Sequence, residues 1–237
     1  MTVGSAHSLR ARSAILERLR AAPRDAASVA PDISASLAPL TVEPAGESRR
    51  ERFIRHARGW HAEVIETSVA DWPRQLLTLV QARGLRRLMA GPGSAIAAAL
   101  GACLPPDLLR WYDRDLSELK SELFDGVEAG ITTTLGGIAA TGSLLLRPSV
   151  AEPRTLSLIP PLHIALLRES ELQDSLLAAM RHFGWAQDMP SNLLTVTGPS
   201  KTADIQRMLV YGAHGPRELV ILLLCDGDAV TAGGAGA

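Results

Sequence analysis

Near the carboxyl terminus, an uninterrupted apolar run at residues 219–225 (LVILLLC) sets a strict condition on the fold. It is far shorter than the roughly 18 apolar residues that a membrane-spanning helix needs. Successive side chains of a strand point to opposite faces, so an all-apolar strand must be covered on both sides. The run therefore predicts a buried strand over residues 219–224, inside a parallel sheet.

Strand and helix patterns alternate upstream of this run. Their alternation with short connections predicts an α/β class, a three-layer α/β/α fold with a mostly parallel sheet. Ligands bind beyond the carboxyl ends of such strands, and we expect the glycine turns of this chain to lie there. The predicted strands are 62–67, 86–90, 109–113, 127–134, 163–167 and 193–197, and the predicted helices are 49–60, 72–83, 116–123, 170–183 with Ser170 as N-cap, one from about residue 94 and one from residue 202.

Three regions are predicted along the chain. Residues 1–48 form an arginine-rich amphipathic helix over 8–22 followed by an irregular arm rich in Pro, Ala and Ser. Residues 49–226 form the α/β domain. The Gly/Ala tail at 227–237 offers no side chains to pack, so we expect it to be disordered.

Composition removes several function classes. A formal net charge of -1 gives no reason to expect nucleic acid or an acidic membrane as partner. No signal peptide or transmembrane segment is recognisable, so we expect a cytoplasmic protein with two buried, reduced thiols. Cys103 and Cys225, the two cysteines, cannot hold an ordinary iron–sulfur cluster or a Cys-rich zinc site, and we expect no cofactor or metal in this chain. The oligomeric state is left open, a homo-oligomer included.

The segment 198–205 (GPSKTADI) follows a predicted strand directly. Gly198 permits an unusual backbone angle, and Ser200 or Thr202 would cap the helix predicted to begin there. The free amides and the dipole of that helix would bind an anion, with Lys201 adding a positive charge. The alternative is a capped helix with a solvent-facing lysine, and the spacing is not that of a Walker loop.

A second segment, 212–216 (GAHGP), sets His214 among small residues that contribute little side-chain volume. Gly212 and Gly215 favour a close approach of the backbone to a ligand, with the imidazole as donor, acceptor or proton carrier. His214 is therefore the candidate catalytic residue. The alternative is a tight turn before the last strand, in which His214 bonds to the backbone.

A third segment combines Thr141, Gly142 and Ser143 between apolar residues, and predicts two strands around a glycine turn over 138–146. Small hydroxyl residues beside a glycine can bind a carboxylate or phosphate through OH and NH groups. A bulge whose hydroxyls are satisfied internally is the alternative.

In this order, the segments resemble the LUD domain of the lactate utilization protein C family, over roughly residues 49–226. The resemblance implies a fold like that of the sugar-phosphate isomerase and CoA-transferase (NagB/RpiA) group. It also implies a role in oxidising L-lactate to pyruvate, together with partner proteins that carry iron–sulfur clusters. The matching segments are 130–132 (GIT), 138–143 (IAATGS), 160–164 (PPLHI), 198–205 and 212–216.

One position departs from the family pattern: Ala140 stands where an acidic residue usually precedes the Thr-Gly pair. Family membership does not, therefore, imply identical activity. The leading hypothesis is an accessory protein of L-lactate utilization that binds a small anionic metabolite or partner subunits. Two alternatives are a stand-alone isomerase or transferase acting on a phosphorylated or CoA-linked substrate, with His214 as acid/base and Glu128 or Asp204 nearby, and a regulatory module that uses the first helix.

Overall fold

The structure is a computed structural model that describes residues 4–21, 46–203, 209–212 and 214–226. The chain divides into two compact units, residues 1–40 and residues 41–237. In the first unit, helix α1 spans Gly4–Ala21 and confirms the helix predicted over 8–22. The predicted arm and the predicted Gly/Ala tail lie almost wholly outside the described residues.

The second unit contains the strands, which group into one large sheet, one small sheet and a hairpin. In chain order they are β1 (Glu63–Ser68), β2 (Leu88–Ala90), β3 (Leu109–Trp111), β4 (Ala129–Thr133), β5 (Gly136–Ile138), β6 (Ser143–Leu146), β7 (Leu162–Arg168), β8 (Leu172–Gln173), β9 (Leu194–Val196), β10 (Lys201–Ala203), β11 (Leu209–Tyr211) and β12 (Glu218–Cys225).

The large sheet has six strands in the order β1-β12-β7-β4-β2-β3, and every pairing in it is parallel. Strand β12 lies between β1 and β7, and its residues from Leu219 to Cys225 are buried. This confirms the buried strand that the apolar run predicts. All six strands run the same way, so their amino ends lie together at one end of the sheet and their carboxyl ends at the other. These two ends are called the amino edge and the carboxyl edge.

Helices cover both faces of the large sheet, which confirms the predicted α/β class. On one face, α3 and α4 enclose a core with Leu76, Leu100 and Ile164. On the other, α2 packs Phe53 and Ala57 against β12 and β7. The helices of this unit are α2 (Arg49–Gly59), α3 (Trp72–Ala82), α4 (Ala97–Cys103), α5 (Leu116–Ser121), α6 (Thr155–Leu158) and α7 (Leu176–His182), with a π-helical turn at Glu122–Gly126 and a 3-10 turn at Glu169–Glu171.

The small sheet has the order β8-β5-β6-β9 and is mixed: β5 pairs parallel with β8, and β6 pairs antiparallel with β5 and β9. Strands β5 and β6 flank Gly142, which confirms the predicted glycine turn and the strand after it. The first strand is Gly136–Ile138, so it lies earlier than the predicted range 138–146. Because β9 pairs with β6, the segment after β9 does not emerge from the large sheet.

The helix predicted over 170–183 is wrong in its first half. The 3-10 turn and β8 occupy that stretch, and α7 begins only at Leu176. Ser175, not Ser170, is the N-cap, and its hydroxyl accepts a hydrogen bond from the amide of Ala178. Pairing of Leu172 with Gly137 outweighs local helix preference there.

The helix predicted from residue 202 is also wrong at its start. Lys201, Thr202 and Ala203 form β10, which pairs antiparallel with β11. The helix dipole expected at Lys201 is therefore absent from the described residues. Residues 204–208, Asp204 among them, lie outside the described part of the chain.

Candidate functional site

The predicted site residues lie at the amino edge of the large sheet. The amides of Arg217 and Glu218 donate to the carbonyl of Pro161, which fixes the starts of β12 and β7 side by side. The amide of Ser200 donates to the carbonyl of Pro216 over 2.8 Å, so the 198–201 turn joins the same edge. The expectation that these glycine turns lie at the carboxyl ends is wrong, since β9 belongs to the small sheet.

The two glycine turns do converge. The amide of Gly212 donates to the carbonyl of Ser200 over 2.9 Å, and a Cβ on Gly215 would lie 3.1 Å from the Cβ of Ser200. The close backbone approach that these glycines predict is real, but each turn approaches the other turn. The backbone amides of Ser200 and Gly212 therefore donate their hydrogen bonds to carbonyls of the protein itself.

Gly198 and Lys201 pack against Trp60, the C-cap residue of α2. Gly198 has a φ of +77°, and a Cβ there would lie 2.3 Å from the Trp60 carbonyl oxygen. The Lys201 Nζ lies 4.3 Å from the centroid of the Trp60 ring, a cation–π contact. The positive charge of Lys201 therefore has an internal partner.

The third predicted cluster meets the same helix. Gly142 has a φ of +67°, and a Cβ there would lie 2.3 Å from the Ala57 amide nitrogen of α2. The hydroxyls of Thr141 and Ser143 are 2.7 Å apart, and that of Ser143 is 2.7 Å from the hydroxyl of Thr197. This arrangement fits the alternative reading of a turn whose hydroxyls are satisfied internally.

His214 is exposed, and the Thr202 side chain is outside what the structure describes. A concavity of about 400 Å³ lies at this edge, beside the starts of β7 and β12. Arg83, Glu128, Arg217 and Glu218 line it, and it includes none of the predicted site residues. Binding by the predicted residues stays a prediction.

A larger concavity lies at the carboxyl edge, where parallel sheets of this kind bind ligands. It is an open cleft of about 1030 Å³. The turn after β2 supplies Gly93, the segment after β3 supplies Asp113 and Arg114, and the loop between β6 and α6 supplies Val150 and Arg154. Arg114 is paired with Asp113 and Glu122, so its charge is neutralised locally.

The loop at residues 147–154 is fastened onto this edge. The Glu152 carboxylate accepts hydrogen bonds from the Thr133 amide (3.0 Å) and the Thr133 hydroxyl (2.6 Å) at the end of β4. A Cβ on Gly91, after β2, would lie 1.7 Å from the Ala151 carbonyl oxygen. Only a glycine at position 91 allows the loop to pack this closely.

Beside the cleft, a narrow pocket opens between β4, the end of β6 and the loop. Its volume of about 10 Å³ has room for about one water molecule. Arg147, Arg154, Thr132 and Ser157 are among its lining residues, and Arg154 also lines the cleft. Among the described residues, neither Arg147 nor Arg154 has a hydrogen-bond or ion-pair partner for its guanidinium. Their charges are therefore available to an anion.

Thr132 connects this pocket to a buried histidine. The Thr132 hydroxyl is 2.9 Å from Nε2 of His163 on β7, and both residues are at least 96% buried, with exposures of 4% and 1%. Burial lowers the pKa of His163 to about 4, so the ring is neutral near pH 7. Its Nδ1 has no partner among the described residues. The Thr132–His163 pair is thus a neutral, polar pair next to two arginines.

In the sequence, His163 stands only at the start of a predicted strand, and no pattern assigns a role to Arg147 or Arg154. These arginines stand in no recognisable motif, and only the fold brings them to Thr132. A signal for this edge did exist, because Gly91-Pro92-Gly93 follows the strand β2 directly. With Ser94 this is a turn of four residues, and a turn that short does not by itself indicate a binding site.

Within the residues that the structure describes, no group of three or more His, Cys, Asp or Glu side chains could hold a metal ion. Cys103 is half-buried and Cys225 is buried, and both are free thiols. Burial raises the pKa of both thiols. Each described helix is too short or too polar to cross a lipid bilayer.

Comparisons with known proteins agree with this architecture. An uncharacterized protein of Neisseria meningitidis is 33% identical over 179 residues, which are 74% of this chain and 77% of that protein. Lactate utilization protein C of an Exiguobacterium species is 26% identical over 184 residues, 76% of this chain and 79% of that protein.

A crystal structure of a DUF162 family protein from Deinococcus radiodurans superposes with a TM-score of 0.56 at 20% identity. It covers 75% of this chain and 99% of the other, and it supports the fold alone. The family model of the LUD domain matches residues 50–224, from α2 to the end of β12. The chain therefore belongs to the LUD domain family.

Proposed function

We propose that this protein takes part in L-lactate utilization as an accessory protein that binds a small anionic metabolite. Several relatives bear the name lactate utilization protein C, among them those of Exiguobacterium and Shouchella clausii. In this proposal the oxidation of L-lactate to pyruvate occurs in partner proteins with iron–sulfur clusters. Two distant cysteines would not supply ligands for such a cluster in this chain.

The observation that carries the proposal is the pair of unpaired arginines at the carboxyl edge. Two exposed guanidinium groups without a described carboxylate partner, beside a small pocket that Thr132 and Ser157 also line, favour an anion. Lactate and pyruvate are small carboxylates of that kind. The edge is also where the α/β fold usually binds its ligands.

The alternative of a stand-alone isomerase or transferase has less support. It needs a second acid or base near His214, for which Glu128 and Asp204 were the candidates. The Glu128 carboxylate accepts hydrogen bonds from the amides of Arg86 and Arg87, so it serves to hold that turn. Asp204 is outside the described residues. We therefore favour the accessory role.

Deletion of the gene in its native organism tests the role. We expect the deletion strain to lose growth on L-lactate and to grow normally on pyruvate, because only the oxidation step would be affected. Re-expression of the full chain should restore growth. Undiminished growth of the deletion strain on L-lactate as sole carbon source contradicts the proposal.

Affinity purification of the tagged full chain from lactate-grown cells tests the partners. The proposal expects iron-containing proteins to be recovered with it, measured by iron content and by mass spectrometry. A chain recovered without iron-containing proteins, in cells that oxidise L-lactate, argues against the accessory role and leaves the growth test to decide on lactate utilization itself.

A further inference from the structure

We propose that the narrow pocket at the carboxyl edge is a binding site for a small carboxylic acid with an oxygen on C2, either a 2-hydroxy or a 2-oxo acid. Arg147 and Arg154 would hold the carboxylate, and Thr132 would bond to the C2 oxygen. This inference rests on the proposed function, and it adds the site, its residues and the ligand class.

The charges of the pocket select an anion. Arg147 and Arg154 line it with no partner among the described residues, and Glu152 is the one acid among its lining residues. Both oxygens of Glu152 already accept hydrogen bonds from Thr133. The pocket therefore keeps a net positive charge of about one after Glu152 is counted, which suits a monocarboxylate.

The size of the pocket selects a small group. A volume of about 10 Å³ admits one oxygen-sized substituent and excludes a sugar ring or an adenine. The carboxylate itself would lie at the mouth, where Arg154 borders both the pocket and the open cleft. Larger parts of a ligand would have to remain in the open cleft.

Thr132, which lines the pocket, selects an oxygen on C2. The Thr132 hydroxyl can donate to a keto oxygen or accept from a hydroxyl, so it suits both acids of a lactate–pyruvate couple. The His163 ring, 2.9 Å away, fixes the orientation of that hydroxyl and is therefore a positioning residue. Acetate lacks the C2 oxygen and would leave Thr132 without this contact.

Isothermal titration of the purified full chain tests the site with L-lactate, pyruvate and acetate as ligands. We expect both C2-oxygen acids to bind more tightly than acetate. Arg147→Gln and Arg154→Gln should each weaken pyruvate binding by about tenfold or more, because each removes a charge-assisted hydrogen bond. Arg86→Gln is the matched control: it removes an exposed arginine at the opposite edge and should leave binding unchanged.

Thr132 variants test the selection of the C2 oxygen. Thr132→Val should bring pyruvate down to the affinity of acetate and leave acetate itself unaffected, a change in ratio that simple loosening of the fold would not produce. Thr132→Ser keeps the hydroxyl and should retain the preference. Melting temperatures of all variants exclude unfolding as the cause.

Three results would overturn the inference: no binding of any of the acids at millimolar concentration, equal binding by the Arg147 and Arg154 variants and the wild type, or an unchanged preference in Thr132→Val. The growth test is independent of these. A strain that needs the gene for L-lactate while the purified chain binds no acid refutes the site and retains the proposed function. Binding of the acids by the purified chain, without a growth defect in the deletion strain, supports the site and refutes the proposed function.

Discussion

The amino and carboxyl edges of the large sheet both carry glycine turns, yet the two edges use them differently. At the amino edge, Gly142 and Gly198 bring two segments against α2, and the hydroxyls and amides around them bond to one another. At the carboxyl edge, Gly91 brings the 147–154 loop down beside a cleft. A glycine turn therefore indicates close approach, and what approaches can be the protein itself.

The charges of the two edges differ as well. At the amino edge, Lys201 lies over Trp60, and Arg83 pairs with Glu63 and Glu218. At the carboxyl edge, Arg147 and Arg154 have no partner among the described residues. Arg217 lines the amino-edge concavity and also has no described partner for its guanidinium, so the distinction is that two such arginines share one narrow pocket at the carboxyl edge. Substitutions can test this distinction directly.

The largest expected effect concerns the tight packing of the amino edge against α2. Gly142→Ala should lower the free energy of unfolding by about 3 to 5 kcal/mol, since it combines a left-handed backbone with a clash against the α2 backbone. Gly84→Ala is the matched control: Gly84 has a φ of +62° with nothing within 4 Å of a Cβ. It should cost about 1 to 2 kcal/mol. Urea unfolding measures both, and equal costs would contradict the tight packing of Gly142.

The next effect concerns pH and the buried Thr132–His163 pair. His163 has its pKa lowered to about 4 by burial, against an ordinary value near 6.5, so the unfolded chain takes up the proton first. The stability that the neutral, buried His163 ring contributes is complete above pH 6.5 and is lost as pH falls towards 4. The wild type should lose about 2 to 3 kcal/mol of unfolding free energy over that window, as judged by urea unfolding at several pH values.

His163→Asn isolates this contribution, because asparagine does not titrate there. The variant should be less stable at pH 7 but show a flatter dependence between pH 6.5 and 4 than the wild type. Carboxylates that titrate in the same window are common to both proteins, so the difference between the two slopes belongs to His163. Parallel slopes would mean that the ring is solvated.

The smallest effect should come from Lys201→Ala. Loss of the contact with Trp60 should cost less than about 1 kcal/mol of stability, because such contacts are weak at exposed sites. Binding of pyruvate should not change, since Lys201 is remote from the pocket lining. Loss of pyruvate binding in this variant would mean that the ligand binds at the amino edge, and it would contradict the assignment of the site to the carboxyl edge.

The fold was predictable where periodicity and burial agree. The run 219–224 and the strand–turn–helix unit around Gly91 both gave correct elements. Errors arose where a distant partner decides the local structure. Leu172 and Thr202 stand in helix-compatible stretches, but each belongs to a strand pair that sequence patterns do not reveal.

The candidate site was less predictable, for a related reason. The convergence of Ser200 and Gly212 followed correctly from the glycines, while the edge at which they converge depends on the pairing of β9 with β6. No local sequence pattern separates Arg147, Arg154 or His163 from the other arginines and histidines of the chain. Their significance comes from a shared pocket and from burial.

The fastening of the 147–154 loop has a practical consequence. Both of its arginines lie within eight consecutive residues that begin where β6 ends and stop where α6 starts. Glu152 bonds the segment to β4, and the absence of a side chain at Gly91 allows it to pack closely. The binding residues therefore form a compact unit. Transplanting these eight residues together with Gly91, Thr132 and Thr133 into a relative of the same fold should transfer the ligand preference without redesign of the surrounding scaffold.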